Sequence, residues 1–330
     1  MAMIINAEEA VSLINDGDFI GMAIFGMAGT AMDLTLAIRD SFRATGHPRD
    51  LSIVHGGGFG NFKELEHGHI GGDWLSDEGL LKRMIGSHNG GMPEIMRQIV
   101  DNKLAAWYFP MGAMLQVFSE SGRGMKGALS KVGLGTFMDP RYDGGALNQL
   151  AKDSEEEWVR YIPDIDGEDY LWYRAYPMNV AILRGTYADE SGNISVEKEA
   201  VYLETAEIAR AVKANGGIVI VQVEHIVCTG QIHPKMVAVP CYLVDYIVEC
   251  KHPEYVYQTH QTAYKPEFSG EIRVPKTFDH IHMPLNAEKI ICRRAAMEIR
   301  AGYKCNFGIG IPQSIGNIIA EEGFSDSIMM

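Results

Sequence analysis

The chain has 330 residues, 46% of them hydrophobic and 22% charged, which predicts a soluble globular protein with one large domain and a remainder, or with two domains. Its formal net charge of −14 argues against a nucleic-acid-binding protein, because neutralising phosphates requires a basic surface. The sequence has neither a basic segment followed by an apolar core at its start nor a stretch of about 18 apolar residues, so it predicts no signal peptide, no membrane span and a cytoplasmic location.

From the N-terminus, helices and strands are predicted to alternate. Asn6, followed by acidic residues, is predicted to cap a first helix that ends at Gly17. The nearly continuous apolar run over residues 19–25 predicts a strand buried on both faces of a parallel sheet. A Gly-rich turn at residues 26–30 follows, and the spacing of apolar residues over 34–42 predicts the next helix.

The same cycle continues along the chain. A strand, a turn and a second strand are predicted over residues 179–194, and a Gly-rich segment at residues 56–60 follows another strand. The remaining predicted strands are residues 51–54, 105–109 and 217–223, and the remaining predicted helices are residues 93–100, 112–119 and 200–214. Such alternation indicates an α/β fold with a parallel sheet, whose ligand loops lie at the carboxyl ends of the strands.

The end of the chain repeats the pattern of its beginning. Residues 251–284 lose regular periodicity and predict a linker or crossing arm, after which Asn286 is predicted to cap a helix as Asn6 does. A strand over residues 304–309, a Gly-Ile-Gly-Ile-Pro turn and a strand at 327–330 are expected next. We therefore predict two similar parallel-sheet α/β domains, the second only begun in this chain, with the boundaries 1–270, 271–285 as linker and 286–330.

Short motifs leave the chemistry open. The Gly-rich turns are able to present backbone N–H groups to a phosphate or an oxyanion, but they are also typical of tight strand-to-helix connections. No Gly-x-Gly-x-x-Gly, Walker lysine or Gly-x-Ser-x-Gly occurs, so neither a dinucleotide site nor a serine-hydrolase elbow is predicted. Histidine pairs without a third ligand at a defined spacing predict no metal site; they are His67 with His69, and His280 with His282 beside Asp279.

The cysteines favour a reducing compartment. Their number is odd and no Cys-x-x-Cys pair occurs, a pattern that predicts reduced cytosolic thiols instead of a disulfide framework. The five positions are Cys228, Cys241, Cys250, Cys292 and Cys305.

Longer stretches resemble one family. Residues 131–141, Lys-Val-Gly-Leu-Gly-Thr-Phe-Met-Asp-Pro-Arg, and residues 183–194, which contain Ala-Asp-Glu-Ser-Gly-Asn-Ile, are similar to stretches of the family I coenzyme A transferases, nearest to the single-chain acetate/propionate type. Residues 216–224 resemble the same family. The Gly-Ile-Gly-Ile-Pro turn at 308–312 and Glu-Glu-Gly at 321–323 resemble the family's loop and helix just ahead of its catalytic glutamate. The resemblance covers the chain in order from end to end.

The resemblance implies an acyl-CoA:carboxylate CoA-transferase for short-chain acids such as acetate or propionate, with its active site between two α/β domains. In the family a glutamate attacks an acyl-CoA, and an acyl-glutamyl anhydride and then a glutamyl-CoA thioester form in a ping-pong sequence. Coenzyme A is thus a co-substrate, and no tightly bound cofactor or metal is implied. Backbone N–H groups of Gly-rich loops are the expected oxyanion stabilisers, and the residues available are Gly26, Met27, Gly58, Phe59, Gly60, Met111, Gly112, Gly308 and Gly310.

The resemblance also implies that no catalytic residue lies within the chain. The family's glutamate follows the Glu-Glu-Gly helix, which sets it about three residues after Met330. Residues 119–122 and 190–192 resemble its motif, but the former are predicted to end a helix and the latter to form a turn. We therefore expect the N-terminal part of an enzyme that works with its C-terminal half as a separate or cleaved chain and forms a homo-oligomer, with no nucleic-acid or membrane partner.

Two departures from the family concern the substrate. Met111 stands where relatives commonly carry Gln, and Phe59 lies in a loop that is often more polar, so each exchange removes a hydrogen bond of about 1 kcal/mol. They imply a bulkier or more apolar acyl group, a rearranged set of donors, or weaker activity. Two other functions stay open: a non-catalytic α-type subunit that binds acyl-CoA or a partner, and a sugar-phosphate isomerase, for which the sequence offers no clear acid/base and phosphate-binding constellation.

Overall fold

Two compact units make up the computed structural model, which describes residues 2–61, 68–273, 282–308 and 310–329. The first unit is Met1–Ile272 and the second is Arg273–Met330. The first unit contains a large, mostly parallel sheet with helices on both faces. The described residues of the second unit are mainly helical.

The strands among the described residues lie in the first unit and are numbered in chain order. They are β1 (Met3–Ile4), β2 (Phe19–Met22), β3 (Leu51–His55), β4 (Leu81–Gly86), β5 (Ala105–Tyr108), β6 (Gly127–Ser130), β7 (Val159–Ile165), β8 (Glu168–Arg174), β9 (Val180–Asp189), β10 (Ile194–Ser195), β11 (Ile218–Val227), β12 (Val237–Val239) and β13 (Tyr246–Glu249).

The α-helices are numbered in the same way. Those of the first unit are α1 (Ala7–Val11), α2 (Met32–Thr45), α3 (Pro93–Val100), α4 (Met111–Gly122), α5 (Gln149–Asp153), α6 (Thr205–Ala214) and α7 (Pro266–Ser269). Those of the second unit are α8 (Ala287–Ala296) and α9 (Ile315–Glu321). Short 3₁₀ helices are Gly72–Leu75, Pro234–Met236, Cys241–Leu243, Pro253–Tyr255, Ile311–Ser314 and Ser325–Ser327.

The order of the parallel strands creates a reversal near the middle of the sheet. The order is β1-β13-β11-β9-β2-β3-β4-β5, and each neighbouring pair is parallel. From β2 the chain moves outward through β3, β4 and β5, whereas β9, β11 and β13 extend the other side. In open α/β sheets the ligand crevice lies at the carboxyl ends of the strands beside such a reversal, here between β2 and β9.

Successive side chains on a strand point to opposite faces of the sheet. Because the central strands are continuous apolar runs, both faces are apolar. Ile53, Ile182 and Ile220 pack in one layer with residues of α1, α2 and α3. Their sequence neighbours Val54, Leu183 and Val221 pack in the other layer with residues of α4 and α6. Burial of each such side chain contributes about 1.5–3 kcal/mol, so both layers stabilise the scaffold that carries the strand-end loops.

The large parallel α/β sheet predicted from the sequence is confirmed, with differences at element ends. Strand β2 ends at Met22, and the Phe25 side chain, predicted within a buried strand, is 52% exposed. Helix α1 ends at Val11, before the predicted Gly17, although Asn6 caps it as predicted by accepting the Glu9 N–H at 2.8 Å. Helix α6 begins at Thr205, five residues after the predicted start, because residues 196–204 form an irregular segment.

An antiparallel sheet was not predicted from the sequence. Strands β6, β8 and β7 form this separate three-stranded sheet. Leu171 and Tyr173 on one face of β8 are buried in the apolar layer that contains α4. The residues facing the other way include Trp172, and Arg160 lies over its ring at 5.5 Å from the centroid. The sheet therefore covers part of the first unit outside the parallel array.

The described part of the second unit is a small helical cluster. Asn286 caps α8 as predicted, accepting the Lys289 N–H at 2.9 Å. Cys292 and Ala296 of α8 pack against Ile318 of α9. In place of the predicted strands 304–309 and 327–330, the residues described there form one parallel bridge, between Lys304 and Met329, while Ile309 and Met330 lie outside the described residues.

Three further findings concern disulfides, membranes and metals. All five cysteines lie in the described ranges, and each has a free thiol. Within those ranges, no helix combines the length and apolar character that crossing a bilayer requires. The described residues also contain no group of three or more His, Cys, Asp or Glu side chains arranged to hold a metal ion; His67, Asp279 and His280 lie outside them.

Candidate active site

The Gly-rich loops that follow β2 and β3 are joined to each other by backbone hydrogen bonds. The Gly26 N–H donates to the Gly58 carbonyl at 2.8 Å, and the Gly60 N–H donates to the Gly26 carbonyl at 3.1 Å. Gly26 and Phe59 therefore pair as a short parallel bridge beyond the ends of the strands. The structure thus brings together Gly26, Gly58, Phe59 and Gly60, beside the reversal in strand order.

Glycine is required where these loops approach each other. A Cβ added to Gly57 would lie 2.6 Å from the Ile24 carbonyl oxygen and 2.8 Å from Cδ2 of Phe25, closer than real Cβ atoms come. The Gly57 N–H donates to that Ile24 carbonyl at 3.1 Å. The two loops therefore form one backbone unit that tolerates no side chain at this position.

Met27 and Phe59 are fully buried, so their side chains belong to the core. Met27 packs with Met32 and Ile70, and the Phe59 ring meets the His55 imidazole edge-on at 6.3 Å. Among the described residues, the backbone N–H groups of Met27 and Phe59 donate to no acceptor. What these two residues are able to offer a ligand is therefore their N–H groups.

The loop that follows β2 is called the first loop and the loop that follows β3 the second loop. The imidazole of His55 contacts the second loop. Its Nδ1 faces the Gly57 carbonyl, and because a carbonyl only accepts, Nδ1 carries the hydrogen. Burial lowers the pKa of His55 to about 4, so the ring is neutral at neutral pH. The Ser87 hydroxyl donates to the carbonyl of Gly56, the residue before Gly57. The carbonyls of Gly56, Gly57 and Gly58 are thus all held by partners, which fixes the loop.

Met111 and Gly112 form the start of α4, at the carboxyl end of β5. Helix α4 has no side-chain cap, and a Cβ at Gly112 would meet nothing within 4 Å. Met111 is 40% exposed, unlike the buried Met27 and Phe59. The first N–H groups of α4 therefore lie at an open helix N-terminus, the end that favours negative charge.

Two neighbouring helices have N-termini that are occupied by side chains of other elements. Gln222 of β11 accepts the Asp33 N–H at the start of α2 at 3.0 Å. Asp73 accepts the Glu94 and Ile95 N–H groups at the start of α3 at 3.1 and 3.2 Å. Burial raises the pKa of Asp73 to about 6, although those N–H groups favour its charged form. Both caps are long-range contacts, which sequence inspection does not reveal.

Glu204 is a buried carboxyl beside the second loop that the sequence did not single out. It is the N-cap residue of α6 and is 8% exposed, and a Cβ at Gly56 would collide with its Oε1. Burial raises the pKa of Glu204 to about 7, against the opposing effect of the N–H groups of Glu204 and Gly56. The sequence analysis missed this residue because a helix predicted over residues 200–214 places Glu204 in the helix interior instead of at the N-cap.

The remaining candidate glycines belong to the second unit. Gly310 has a φ of +101° and begins the Ile311–Ser314 3₁₀ helix, and a Cβ at Gly308 would meet nothing within 4 Å. Both acidic residues of the Glu-Glu-Gly segment are engaged in ion pairs. Glu321 pairs with Lys289, which lowers the pKa of the carboxyl, and Glu322 pairs with Arg293 at 2.7 Å.

The motifs that resemble a Glu-Ser-Gly nucleophile in the first unit lie at the end of a helix and in a turn, as predicted. Ser119, Glu120, Ser121 and Gly122 end α4. Glu190 and Ser191 form the turn after β9, where Asp189 Oδ1 accepts the Ser191 N–H at 3.0 Å.

The family model for coenzyme A transferases matches residues 4–250. This chain belongs to the coenzyme A transferase family. It is 38% identical to the caffeate CoA-transferase of Acetobacterium woodii over 330 residues, which cover 100% of this chain and 61% of that protein. It is 33% identical to the acetate CoA-transferase YdiF of Escherichia coli strain K12, with 99% of this chain and 60% of that protein covered. The resemblance to family I enzymes is thereby confirmed.

Solved structures agree with this membership. The crystal structure of acyl-CoA transferase YdiF from Escherichia coli O157:H7 matches with a TM-score of 0.88 and 33% identity, over 99% of this chain and 60% of that chain. Glutaconate coenzyme A-transferase from Acidaminococcus fermentans, 16% identical with a TM-score of 0.63 over 81% of this chain and 82% of that chain, shares the fold. The chain spans about 60% of the length of the first curated relatives that it matches.

Proposed function

We propose that this chain is the N-terminal part of an acyl-CoA:carboxylate CoA-transferase for short-chain acids such as acetate or propionate. Residues 1–270 are its α-type domain, 271–285 its linker and 286–330 the start of its β-type domain. The observation that carries the proposal is the pair of interlocked Gly-rich loops beyond β2 and β3, in a chain of this family. These loops lie where a parallel sheet binds its ligands.

In the proposed reaction a glutamate attacks the carbonyl of an acyl-CoA, and CoA leaves as the anhydride forms. CoA then attacks the anhydride, which releases the acid and forms a glutamyl-CoA thioester, and an acceptor carboxylate reverses these steps. The glutamate belongs to the part of the relatives' length that this chain does not span. Each addition puts negative charge on a carbonyl oxygen, for which N–H donors are required.

The proposed donors are backbone groups of the candidate residues. In the first unit they are the N–H groups of Met27 and Phe59, which lack acceptors among the described residues, and those at the start of α4 around Gly112. Gly26, Gly58 and Gly60 hold the two loops in register, and the exposed Met111 side chain contacts the acyl group. In the second unit the proposed donors are Gly308 and Gly310.

The proposed partners follow from the same reaction. Coenzyme A is a co-substrate, and no tightly bound cofactor takes part, because the covalent intermediate itself conserves the thioester energy. The C-terminal half of the enzyme completes the active site as a continuation or a separate chain. The family resemblance further suggests a homo-oligomer, and the cysteine pattern a cytoplasmic location.

A transfer assay tests the proposal. The protein that includes the sequence following Met330 is mixed with acetyl-CoA and propionate, and propionyl-CoA is measured. We expect transfer with parallel double-reciprocal plots, the pattern of a ping-pong mechanism, and no transfer by residues 1–330 alone. Absence of transfer from every short-chain acyl-CoA tested would contradict the proposal.

A non-catalytic α-type subunit that binds acyl-CoA is the second candidate function. The glutamates that resemble the nucleophile motif are already engaged, which agrees with this function as well as with the first. Glu120 forms an ion pair with Arg123 at 3.1 Å, and Glu190 accepts the Thr229 N–H at 3.2 Å. Calorimetric binding of acetyl-CoA to the protein with its continuation, without any transfer to added acids, would favour this function.

A further inference from the structure

Two adjacent residues just before α6 contact both Gly-rich loops. A Cβ at Gly29, in the loop after β2, would collide with Cδ1 of Leu203. A Cβ at Gly56, in the loop after β3, would collide with Oε1 of Glu204. The Leu203–Glu204 pair therefore packs against the backbone of the two loops that carry the proposed donors. Both loops need glycine at these points because the pair occupies the space.

The Glu204 carboxyl also approaches α4. The Cβ position of Gly56 lies 3.0 Å from Cδ1 of Leu115, one turn from the start of α4, and 3.3 Å from Cδ of Glu204. Gly56 is thus enclosed between Leu115, Glu204 and Ser87, whose hydroxyl binds its carbonyl. The buried Glu204 carboxyl therefore lies beside Gly56, the first residue of the second loop, and close to the first turns of α4.

The polar environment of this carboxyl is sparse. Its Oε1 is buried and has no hydrogen-bond partner among the described residues. The groups that act on it are the N–H groups of Gly56 and of Glu204 itself, and the carboxylate of Glu207, which is of like charge. A buried carboxylate without a cation is strongly unfavourable, whereas a neutral carboxyl group is tolerated there.

We propose that Glu204 is a positioning residue for the transfer reaction, with its carboxyl group fixing the backbone of the Gly56–Gly60 loop. It is not a catalytic residue, because its Oε1 is shielded from solvent and contacts the protein backbone. The carboxyl packs against Gly56, whose N–H favours the charged form of Glu204 and whose carbonyl accepts the Ser87 hydroxyl. This role rests on the proposed function, since that reaction supplies the oxyanion for which the loop is arranged.

The protonation state supports a hydrogen-bonding role over an ionic one. Burial raises the pKa of Glu204 to about 7, so near pH 6 the group is mostly neutral. Glutamine has the same shape and also a carbonyl oxygen able to accept the Gly56 N–H. Leucine has a similar volume but no acceptor. Comparing these two substitutions therefore separates the hydrogen-bonding role from packing.

Hydrogen exchange of the chain itself tests the role without any transfer reaction. In Glu204→Leu, amide exchange in a peptide covering residues 56–60 is expected to be about tenfold faster than in the wild type, because the carboxyl group that packs against Gly56 and acts on its N–H is lost. Glu204→Gln is expected to stay within about twofold of the wild type. Glu197→Leu is the matched control, because Glu197 lies in the same irregular segment before α6 and is exposed; it is expected to leave this peptide unchanged.

Infrared spectroscopy supplies a second readout, which also serves if Glu204→Leu does not fold. The difference spectrum between wild type and Glu204→Gln is expected to contain the C=O band of a neutral carboxyl group near pH 6, and to lose it well above the pKa of about 7. A purely structural role of the side chain would not require this band.

The outcomes are distinct from those of the transfer assay. Unchanged exchange at residues 56–60 in Glu204→Leu, an equal increase in Glu204→Gln, or the absence of the neutral carboxyl band would each overturn the proposal. If exchange and infrared results are as expected but no CoA transfer is found, the proposed function is contradicted. The contact between Glu204 and the second loop is then still supported. In an active protein with its continuation, Glu204→Leu is expected to lower kcat about tenfold with KM unchanged, and Glu204→Gln to restore kcat.

Discussion

Arg184 and Glu199 form an ion pair from which solvent is almost excluded, with 3% and 7% of their side chains exposed. Arg184 Nε lies 2.9 Å from Glu199 Oε1, and Nη1 donates to the Thr30 carbonyl at 3.1 Å. The pair joins β9 and the segment after β10 to the loop that follows β2. It therefore holds the first Gly-rich loop at the Thr30 carbonyl.

We predict that Arg184→Met lowers the free energy of unfolding by about 3–5 kcal/mol, because Glu199 is left buried without its cation. The double variant Arg184→Met/Glu199→Leu is expected to recover most of that loss, since no unpaired charge remains. Urea denaturation at neutral pH measures both. Arg97→Ala, which breaks an exposed pair with Glu94, serves as control and is expected to change stability by less than about 1 kcal/mol. If Arg184→Met lowers the free energy of unfolding by less than about 1 kcal/mol, as expected for Arg97→Ala, the buried ion pair does not stabilise the fold as proposed.

Gly57 is a loop position at which a methyl group would meet the backbone of the other Gly-rich loop. Gly57→Ala is predicted to lower the free energy of unfolding by about 1–3 kcal/mol, because its Cβ would lie 2.6 Å from the Ile24 carbonyl. Gly112→Ala is the matched substitution in open space, and we expect it to be neutral or to stabilise α4 by about 0.5 kcal/mol. Thermal or urea unfolding of both variants is the measurement. Equal changes in stability at the two glycines would show that the close approach of Gly57 to the Ile24 carbonyl does not affect stability.

These glycines mark the limit of what the sequence alone predicts. Helix α3 was predicted at its observed bounds because its signals are local: Pro93 at the first position and apolar residues at helical spacing. The Gly-rich turns were also found locally. Their pairing through Gly26 and Gly58, however, depends on β2 and β3 being neighbours in the sheet.

Other elements escaped prediction because tertiary contacts define them. Strand β4 carries Lys82 and Arg83, and it forms a strand because it pairs with β3 on one side and β5 on the other. The role of Asp73 as a cap for α3 joins residues about 20 apart and leaves no short-range pattern. Glu204 is likewise defined by contact with Gly56, which is distant in sequence. The candidate site was thus predictable as loops, but its buried supports were not.

Asp73 gives the stability a defined dependence on pH. Burial raises its pKa from 3.8 to about 6, so the folded state binds a proton more readily than the unfolded state. This stabilising effect is fully present below about pH 4 and is lost as the pH rises through 6. Asp73→Asn, which retains an acceptor for α3, is therefore expected to gain stability relative to the wild type as the pH rises from 4 to 6.

Urea unfolding across that pH range measures the effect. Asp73→Ala removes the acceptor as well as the titrating group, and we expect it to be less stable than Asp73→Asn by about 1 kcal/mol at every pH. A difference between Asp73→Asn and the wild type that does not change with pH would contradict the assigned pKa.

Met111 is the exposed apolar side chain at the start of α4, and the proposed function makes it a contact for the acyl group. In the protein with its continuation, Met111→Gln is predicted to raise the kcat/KM for acetyl-CoA relative to butyryl-CoA by about tenfold, because an apolar contact is replaced by an amide donor. Met125→Gln is the control: Met125 is 55% exposed and lies just beyond the other end of α4. Equal effects of the two substitutions would remove Met111 from the site.

We infer that this chain is part of an enzyme that transfers CoA through a glutamyl thioester. Mass spectrometry of the protein with its continuation, incubated with acetyl-CoA and digested, tests it most directly. We expect a peptide whose mass is increased by CoA on a glutamate following Met330, and reversal of this increase when acetate is added. No CoA adduct under conditions that saturate the protein with acetyl-CoA, or an adduct confined to residues 1–330, would rule out a thioester on a glutamate that follows Met330.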